Sequence, residues 1–152
     1  MKNEILVLGV GNSWRRDDGV GPAVIELLCK NPVRGVKYLV GGIDGLALID
    51  IMQQYKKVII IDAVDMNVEP GSIKIFDPCE AKINIKSDAL STHGFGLAEV
   101  LKLIEHLGIQ VSISIAGIQP QDISFGEGLS APLKESLSKV VKLIVKECSN
   151  AL

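Results

Sequence analysis

An uninterrupted run of β-branched residues near the middle of the chain constrains the fold most. Val58-Ile59-Ile60-Ile61 is followed directly by Asp62. A strand without any polar position needs cover on both faces, which is typical of a parallel strand inside an α/β sheet. The run therefore predicts a central, fully buried strand with helices packed on both of its faces.

Strand and helix patterns alternate along the rest of the sequence. The turn Glu69-Pro70-Gly71 leaves no room for a helix before the next strand, which we predict to be an antiparallel hairpin partner of the central strand. Short apolar runs predict strands, and apolar residues at helical spacing predict helices. The predicted strands cover residues 5–10, 36–40, 58–61, 72–76 and 111–116, and the predicted helices begin near residues 20, 46, 91 and 130.

The order of these elements predicts the fold class. A β-α-β-α-β-β-α-β-α succession gives an α/β three-layer sandwich, in which a single mixed, mostly parallel five-stranded sheet carries helices on both faces. The chain has 152 residues, which is within the usual size of one domain. We therefore expect residues 1–152 to form a single domain.

Composition excludes several classes of partner. A formal net charge of -2 makes nucleic acid and anionic membranes poor partners, because both favour a basic surface. No stretch approaches the ~20 apolar residues that cross a bilayer, and the apolar run after residue 4 is too short for a signal peptide. Three widely spaced cysteines predict neither a disulfide framework nor a thiolate zinc site. We expect a cytoplasmic protein, and the sequence leaves its oligomeric state open.

Polar residues follow the carboxyl ends of the predicted parallel strands, where open α/β sheets bind their ligands. Asp18 lies in the loop after the first strand, Asp62 ends the third, and Gln119 follows the last. The long loop 78–90 is expected to bring His93, at the start of the third helix, to the same edge. Two carboxylates and one imidazole at this edge predict a metal site with open coordination positions.

Each of these residues also has an interpretation without function. Asp62 can accept backbone hydrogen bonds or cap a turn, and His93 can be an ordinary loop histidine. Acidic residues just before a helix favour its N-terminus, so local sequence alone favours a capping role for Asp17 and Asp18. Their convergence on one crevice is what favours a site over these alternatives.

Several catalytic and cofactor motifs are excluded. Gly9-Val10-Gly11 begins like a dinucleotide fingerprint, but Trp14 stands at the third glycine position. The sequence contains no P-loop, no paired-histidine zincin helix and no nucleophile elbow. Cys79 follows Asp77-Pro78 at a strand end, away from the crevice, and is interpreted as a structural or incidental thiol.

The same residues carry a resemblance to a known family. Their order and spacing resemble those of the hydrogenase maturation proteases, from the first strand to the last helix. The matching segments are Leu8-Gly9-Val10-Gly11-Asn12, Asp17-Asp18-Gly19-Val20-Gly21, Ile60-Ile61-Asp62-Ala63, Thr92-His93 with Gly96-Leu97, and Gly117-Ile118-Gln119-Pro120. One departure is Val40, which stands before Gly41-Gly42 where family members often have an aspartate.

The resemblance implies an endopeptidase that removes the C-terminal extension of a nickel–iron hydrogenase large-subunit precursor after nickel insertion. The family's metal-contacting and catalytic positions fall on Asp18, Asp62 and His93. The metal implied is nickel supplied by the substrate, and other divalent metals are able to occupy the site. Two mechanisms stay open: either the metal polarises the peptide group, or Asp18 and Asp62 share a water as in aspartic proteases.

Residues around this centre are expected to bind the substrate chain. These are Asn12, Trp14, Arg16 and Gln119. The alternative function is a non-catalytic nickel-binding chaperone or sensor that uses the same three ligands. A nucleotide-binding module is the least favoured interpretation, because paired aspartates repel phosphate unless a divalent cation bridges them.

Overall fold

The computed structural model describes residues 4–41, 45–78 and 97–152. The strands of these residues are β1 (Ile5–Gly9), β2 (Val36–Val40), β3 (Lys57–Ala63), β4 (Ile73–Phe76) and β5 (Ser112–Ile118). They form one sheet in the order β2-β1-β3-β5-β4. The first four strands in this order pair in parallel, and β4 pairs antiparallel with β5. The mixed, mostly parallel five-stranded sheet is therefore confirmed.

Helices cover both faces of the sheet, which confirms the three-layer prediction. A 3-10 turn at Arg16–Gly19 leads into α1 (Val20–Leu28), and the others are α2 (Gly45–Met52), α3 (Leu97–His106) and α4 (Ala131–Ala151). One apolar cluster joins the sheet to α2 and α3, and a second joins the opposite face to α1 and α4. The helices thus leave the carboxyl edge of the sheet to the connecting loops.

The central run behaves as its β-branched sequence predicts. All four side chains of residues 58–61 are fully buried in β3. Val58 and Ile60 pack toward α2 and α3, whereas Ile59 and Ile61 pack toward α1 and α4. This alternation is the two-residue period of a strand, and with apolar residues at every position it requires both layers of helices.

The fourth strand has the predicted direction but a different partner. It is antiparallel, yet β5 lies between it and β3, so the predicted hairpin with β3 is wrong. The physical reason is polarity. The apolar run 58–61 of β3 requires buried neighbours on both edges, whereas β4 contains the exposed Lys74 and suits the edge of the sheet.

The helix predictions hold where the structure describes them. Val100, Leu101 and Ile104 form the buried stripe of α3, whose predicted start near residue 91 lies outside the described residues. Ser130 precedes α4, and Pro132 lies in its first turn, where a missing N–H costs no helical hydrogen bond. No helix in the described part of the chain is long and apolar enough to cross a membrane.

Candidate active site

Two glycines, Gly11 and Gly21, allow the segment after β1 to pack closely against the end of β3. A Cβ at Gly21 would lie 2.5 Å from the Ile61 carbonyl oxygen and 2.6 Å from that of Val10, so a larger residue would push α1 away. Gly11 has a φ of 132° and would place a Cβ against the backbone of Asp18. These close approaches put the Asp18 turn directly beside the carboxyl end of β3.

Asp18 and Asp62 form a pair of buried carboxylates at this point. Asp18 is 8% exposed and Asp62 is 3% exposed. The Asn12 N–H donates to Asp18 Oδ2 at 2.8 Å, and the Ala63 N–H donates to Asp62 Oδ1 at 2.8 Å. Burial and, to a lesser extent, the negative charge of Asp18 raise the pKa of Asp62 well above its ordinary value of 3.8. A shared proton or a bound cation would relieve this repulsion.

The structure therefore brings together two of the three predicted ligands. His93 and Cys79 lie outside the described residues, so the roles predicted for them stay predictions. Within residues 4–41, 45–78 and 97–152, no group of three metal-binding side chains is present. Val40, which departs from the family pattern, ends β2 with its side chain 56% exposed.

A cavity of about 290 Å³ opens beside Asp18. Asp18 lines it together with Asp65 from the loop after β3 and with Gln119 and Ile123 from the loop after β5. Three loops at the carboxyl edge of the sheet thus build its wall, which is the location that parallel α/β topology predicts. The space is large enough to admit part of a peptide chain next to Asp18.

Gln119 connects two of those loops. Its Oε1 accepts the Met66 N–H at 2.6 Å, and its Nε2 donates to Asp65 Oδ1 and to the Pro120 carbonyl, each at 3.3 Å. Only 8% of the residue is exposed. Its contact with substrate stays a prediction, and its hydrogen bonds to Met66 and Asp65 connect the loop after β3 to the loop after β5 in the cavity wall.

The other predicted substrate-binding residues lie on the first loop. Asn12 Oδ1 accepts the Trp14 N–H at 2.9 Å, which forms a tight turn and leaves the Trp14 residue 66% exposed. The Arg16 Nε lies 3.6 Å from a carboxylate oxygen of Asp122, and its guanidinium occupies the space over Gly126. Arg16 thus attaches the first loop to the loop after β5, whereas Trp14 is available to a partner.

Two residues near this site have positions or contacts that the sequence did not predict. Asp17 is fully buried, but it holds the loop after β5 and the start of α4 instead of capping its own helix. Phe125 is 80% exposed on that loop, with the Arg15 guanidinium 5.4 Å from its ring centroid. The contacts of Asp17 span 104 or more residues of sequence, so no local pattern could have predicted them.

Sequence comparisons identify relatives over most of the chain. A family model described as hydrogenase maturation protease matches residues 22–147. The hydrogenase expression/formation protein HupD from Rhizobium leguminosarum bv. viciae is 30% identical over 93% of this chain and 72% of its own length. HupD from Thiocapsa roseopersicina is 31% identical over 94% of this chain, which spans 66% of that relative's length.

Solved structures agree with the sequence comparisons. The hydrogenase maturating endopeptidase HybD from E. coli aligns with a TM-score of 0.83 and 26% identity, over 97% of this chain and 93% of its own. The NiFe hydrogenase maturation protease HycI from Thermococcus kodakarensis KOD1 aligns with a TM-score of 0.74 and 28% identity, over 95% and 91% of the two chains. The chain therefore belongs to the hydrogenase maturation protease family.

Proposed function

We propose that this chain removes the C-terminal extension from the precursor of a nickel–iron hydrogenase large subunit after nickel has been inserted. Family membership makes the chain an endopeptidase that processes a hydrogenase large subunit. We further propose where the cut lies, that it follows nickel insertion, which residues bind the metal and how the peptide bond is hydrolysed. It also includes a cytoplasmic location, where the precursor would be matured before any assembly step.

The observation that carries the proposal is the buried pair Asp18 and Asp62. Two carboxylates that share a crevice are costly to ionise together, and a divalent cation between them removes that cost. The nickel already held by the precursor is such a cation. Both carboxylates offer the oxygen ligands that divalent metals accept, and His93 is the proposed third ligand.

The chemistry we propose uses the same two carboxylates. When they engage the nickel of the precursor, the positive charge favours their ionised forms and draws the peptide group next to the metal into the cavity. An ionised carboxylate then accepts a proton from the water that attacks the scissile carbonyl carbon. The carboxyl group then returns this proton to the peptide nitrogen as the C–N bond breaks, and the extension leaves with a new amino terminus.

The exposed rim of the cavity is proposed to hold the chain beside the cut. Trp14 is exposed on the loop that precedes Asp18, and Arg16 lies on the same loop, attached to the loop after β5. Asn12 and Gln119 would act from the turn and the wall that they already stabilise. None of the relatives reported above favours the alternative of a non-catalytic nickel chaperone or sensor.

A pair of precursors with identical extensions tests the proposal. One is loaded with nickel and the other is nickel-free, and each is incubated with the purified protein while the released peptide is measured. We expect cleavage of the loaded precursor alone, and loss of cleavage with His93→Ala. Cleavage of neither precursor would reject the endopeptidase, and equal cleavage of both would reject metal gating in favour of an aspartic-type reaction.

A further inference from the structure

Asp17 is a buried carboxylate with an unusually complete set of donors. Its Oδ2 accepts the backbone N–H groups of Gln121 at 2.8 Å and Asp122 at 2.9 Å, and the Ser130 hydroxyl at 2.8 Å. Its Oδ1 accepts the Ser130 N–H at 2.7 Å. Four donors compensate the loss of water around a carboxylate that is fully buried.

All of these donors belong to the segment between β5 and α4. Gln121 lines the cavity, and Ser130 is the residue that precedes α4. The same two loops are also joined by their backbones, because the Asp17 N–H donates to the Asp122 carbonyl at 3.0 Å and the Gly126 N–H donates to that of Trp14 at 2.8 Å. One side chain thus fastens the first loop, the loop after β5 and the start of the last helix to one another.

Asp18 depends on the same attachment. It directly follows Asp17 in the 3-10 turn, and its own N–H donates to the Arg15 carbonyl at 3.0 Å. If the Asp17 carboxylate lost its donors, the backbone hydrogen bonds between the two loops would remain, but the turn that presents Asp18 would be held less firmly against the wall at Gln121. The separation between the reacting carboxylate and the cavity wall is therefore set by a residue that does not face the cavity.

We propose that Asp17 is a positioning residue for peptide cleavage, which fixes the Asp18 carboxylate against the wall that receives the precursor. This inference rests on the proposed function. Asp17 itself contacts neither substrate nor metal. Because reaction rates depend steeply on placement, a shift of about 1 Å at the reacting groups costs on the order of 100-fold in rate.

Asp17→Asn is the direct test. The amide must turn an N–H₂ toward at least one of the donors that now meet an oxygen, so at least one of the four hydrogen bonds is lost. With nickel-loaded precursor we expect kcat to fall about 10-fold to 100-fold, with KM within about twofold of the unmodified protein. A lower kcat with an unchanged KM indicates that the reacting groups are misplaced, and not that the precursor binds more weakly.

A matched variant separates positioning from loss of stability. Ile144 is fully buried in α4 in the apolar cluster on the α1 side of the sheet, and Ile144→Val or Ile144→Ala is chosen to lower Tm as much as Asp17→Asn does. Both variants are assayed well below their Tm values. Equal kcat losses in the two, or unchanged kcat in Asp17→Asn, would overturn the inference.

A milder substitution keeps the inference testable if Asp17→Asn does not fold. Ser130→Ala removes one of the four donors and leaves the Asp17 carboxylate and the backbone unchanged. We expect a severalfold loss of kcat in the same direction, with KM again unchanged. Cleavage by the unmodified protein in the same assay shows whether the proposed function holds, so its failure is distinguishable from failure of this inference.

Discussion

Asp17 and Asp62 are both buried carboxylates, but the groups that surround them are of opposite kinds. Asp17 is met by four donors from another part of the chain. Asp62 accepts the N–H of the next residue, among the residues that the structure describes, and faces the like charge of Asp18. Burial alone therefore does not distinguish a structural carboxylate from one that is proposed to react. What distinguishes them is whether the protein itself compensates the charge.

The two environments have opposite effects on the stability of the isolated protein. A compensated carboxylate stabilises the fold, because its hydrogen bonds are present in the folded protein without any partner. An uncompensated carboxylate destabilises the isolated protein, and its charge is neutralised when a cation or a proton arrives. The two aspartates therefore make opposite predictions for stability and activity.

The largest effect is expected on cleavage from Asp62→Asn. The amide is similar in shape but cannot bind a cation through a charged oxygen or accept a proton from water. We expect processing of nickel-loaded precursor to fall at least about 1,000-fold, since metal contact and proton transfer are lost together. A gel shift of the precursor measures activity, and circular dichroism measures folding. The exposed Cys29→Ser is a control that should retain full activity.

The next largest effect is expected on stability from Asp17→Ala. Truncation leaves two backbone N–H groups of the loop after β5, and both donors of Ser130, without their acceptor. We expect the free energy of unfolding to fall by roughly 2–4 kcal/mol, as is usual when a buried acceptor with several charge-assisted bonds is removed. Denaturant unfolding at pH 7 measures the loss. A variant as stable as the unmodified protein would mean that Asp17 is not compensated as described.

A smaller effect, of opposite sign, is expected from Asp62→Asn in metal-free protein. The folded-state pKa of Asp62 is raised above 3.8, so near pH 3 both folded and unfolded states hold the proton. As the pH rises, the unfolded state ionises first and the free energy of unfolding falls until the folded-state pKa is passed. Asn does not ionise. The variant should therefore match the parent near pH 3 and exceed its Tm at pH 7.

Chelator is required in that measurement, because a bound cation would stabilise the ionised parent and hide the difference. Asp50→Asn, which changes an exposed carboxylate on α2, is the matched control and should show no such dependence. A parent protein that is more stable than Asp62→Asn at pH 7 under these conditions would contradict the description of Asp62 as uncompensated.

The sequence predicted the fold well because its strongest signals are local. The apolar run of β3, the helix start at Ser130 and the buried stripe of α3 are each encoded within a few neighbouring residues. The partner of β4 was predicted wrongly because strand order depends on the polarity of strands distant in sequence. Sheet edges are decided by which strand tolerates an exposed flank, not by which strand comes next.

The sequence predicted the positions of Asp18 and Asp62, but not the contacts of Asp17 or the position of Phe125. Asp18 and Asp62 follow the ends of parallel strands, so topology alone brings them to one edge. Asp17 was assigned by the local rule for residues before a helix, whereas its donors lie 104 to 113 residues away. Phe125 had no local signal, since its position follows from backbone hydrogen bonds between two loops.

The smallest effect is expected from the exposed aromatic residues Trp14 and Phe125, which we call the aromatic rim. Trp14 and Phe125 are 66% and 80% exposed, and their loops are joined by the parallel bridge between Arg15 and Gly126. Because Trp14 contributes little to the core, Trp14→Ala should leave Tm within about 1 °C and raise KM for the precursor about threefold to tenfold, as loss of an aromatic contact at an interface does. Leu152→Ala, which truncates another exposed apolar side chain at the chain end, is the control and should change neither quantity. Steady-state cleavage with increasing precursor separates KM from kcat. A fall in kcat without a change in KM would contradict a role in precursor binding. It would indicate that Trp14 acts at the reacting groups, as proposed for Asp62.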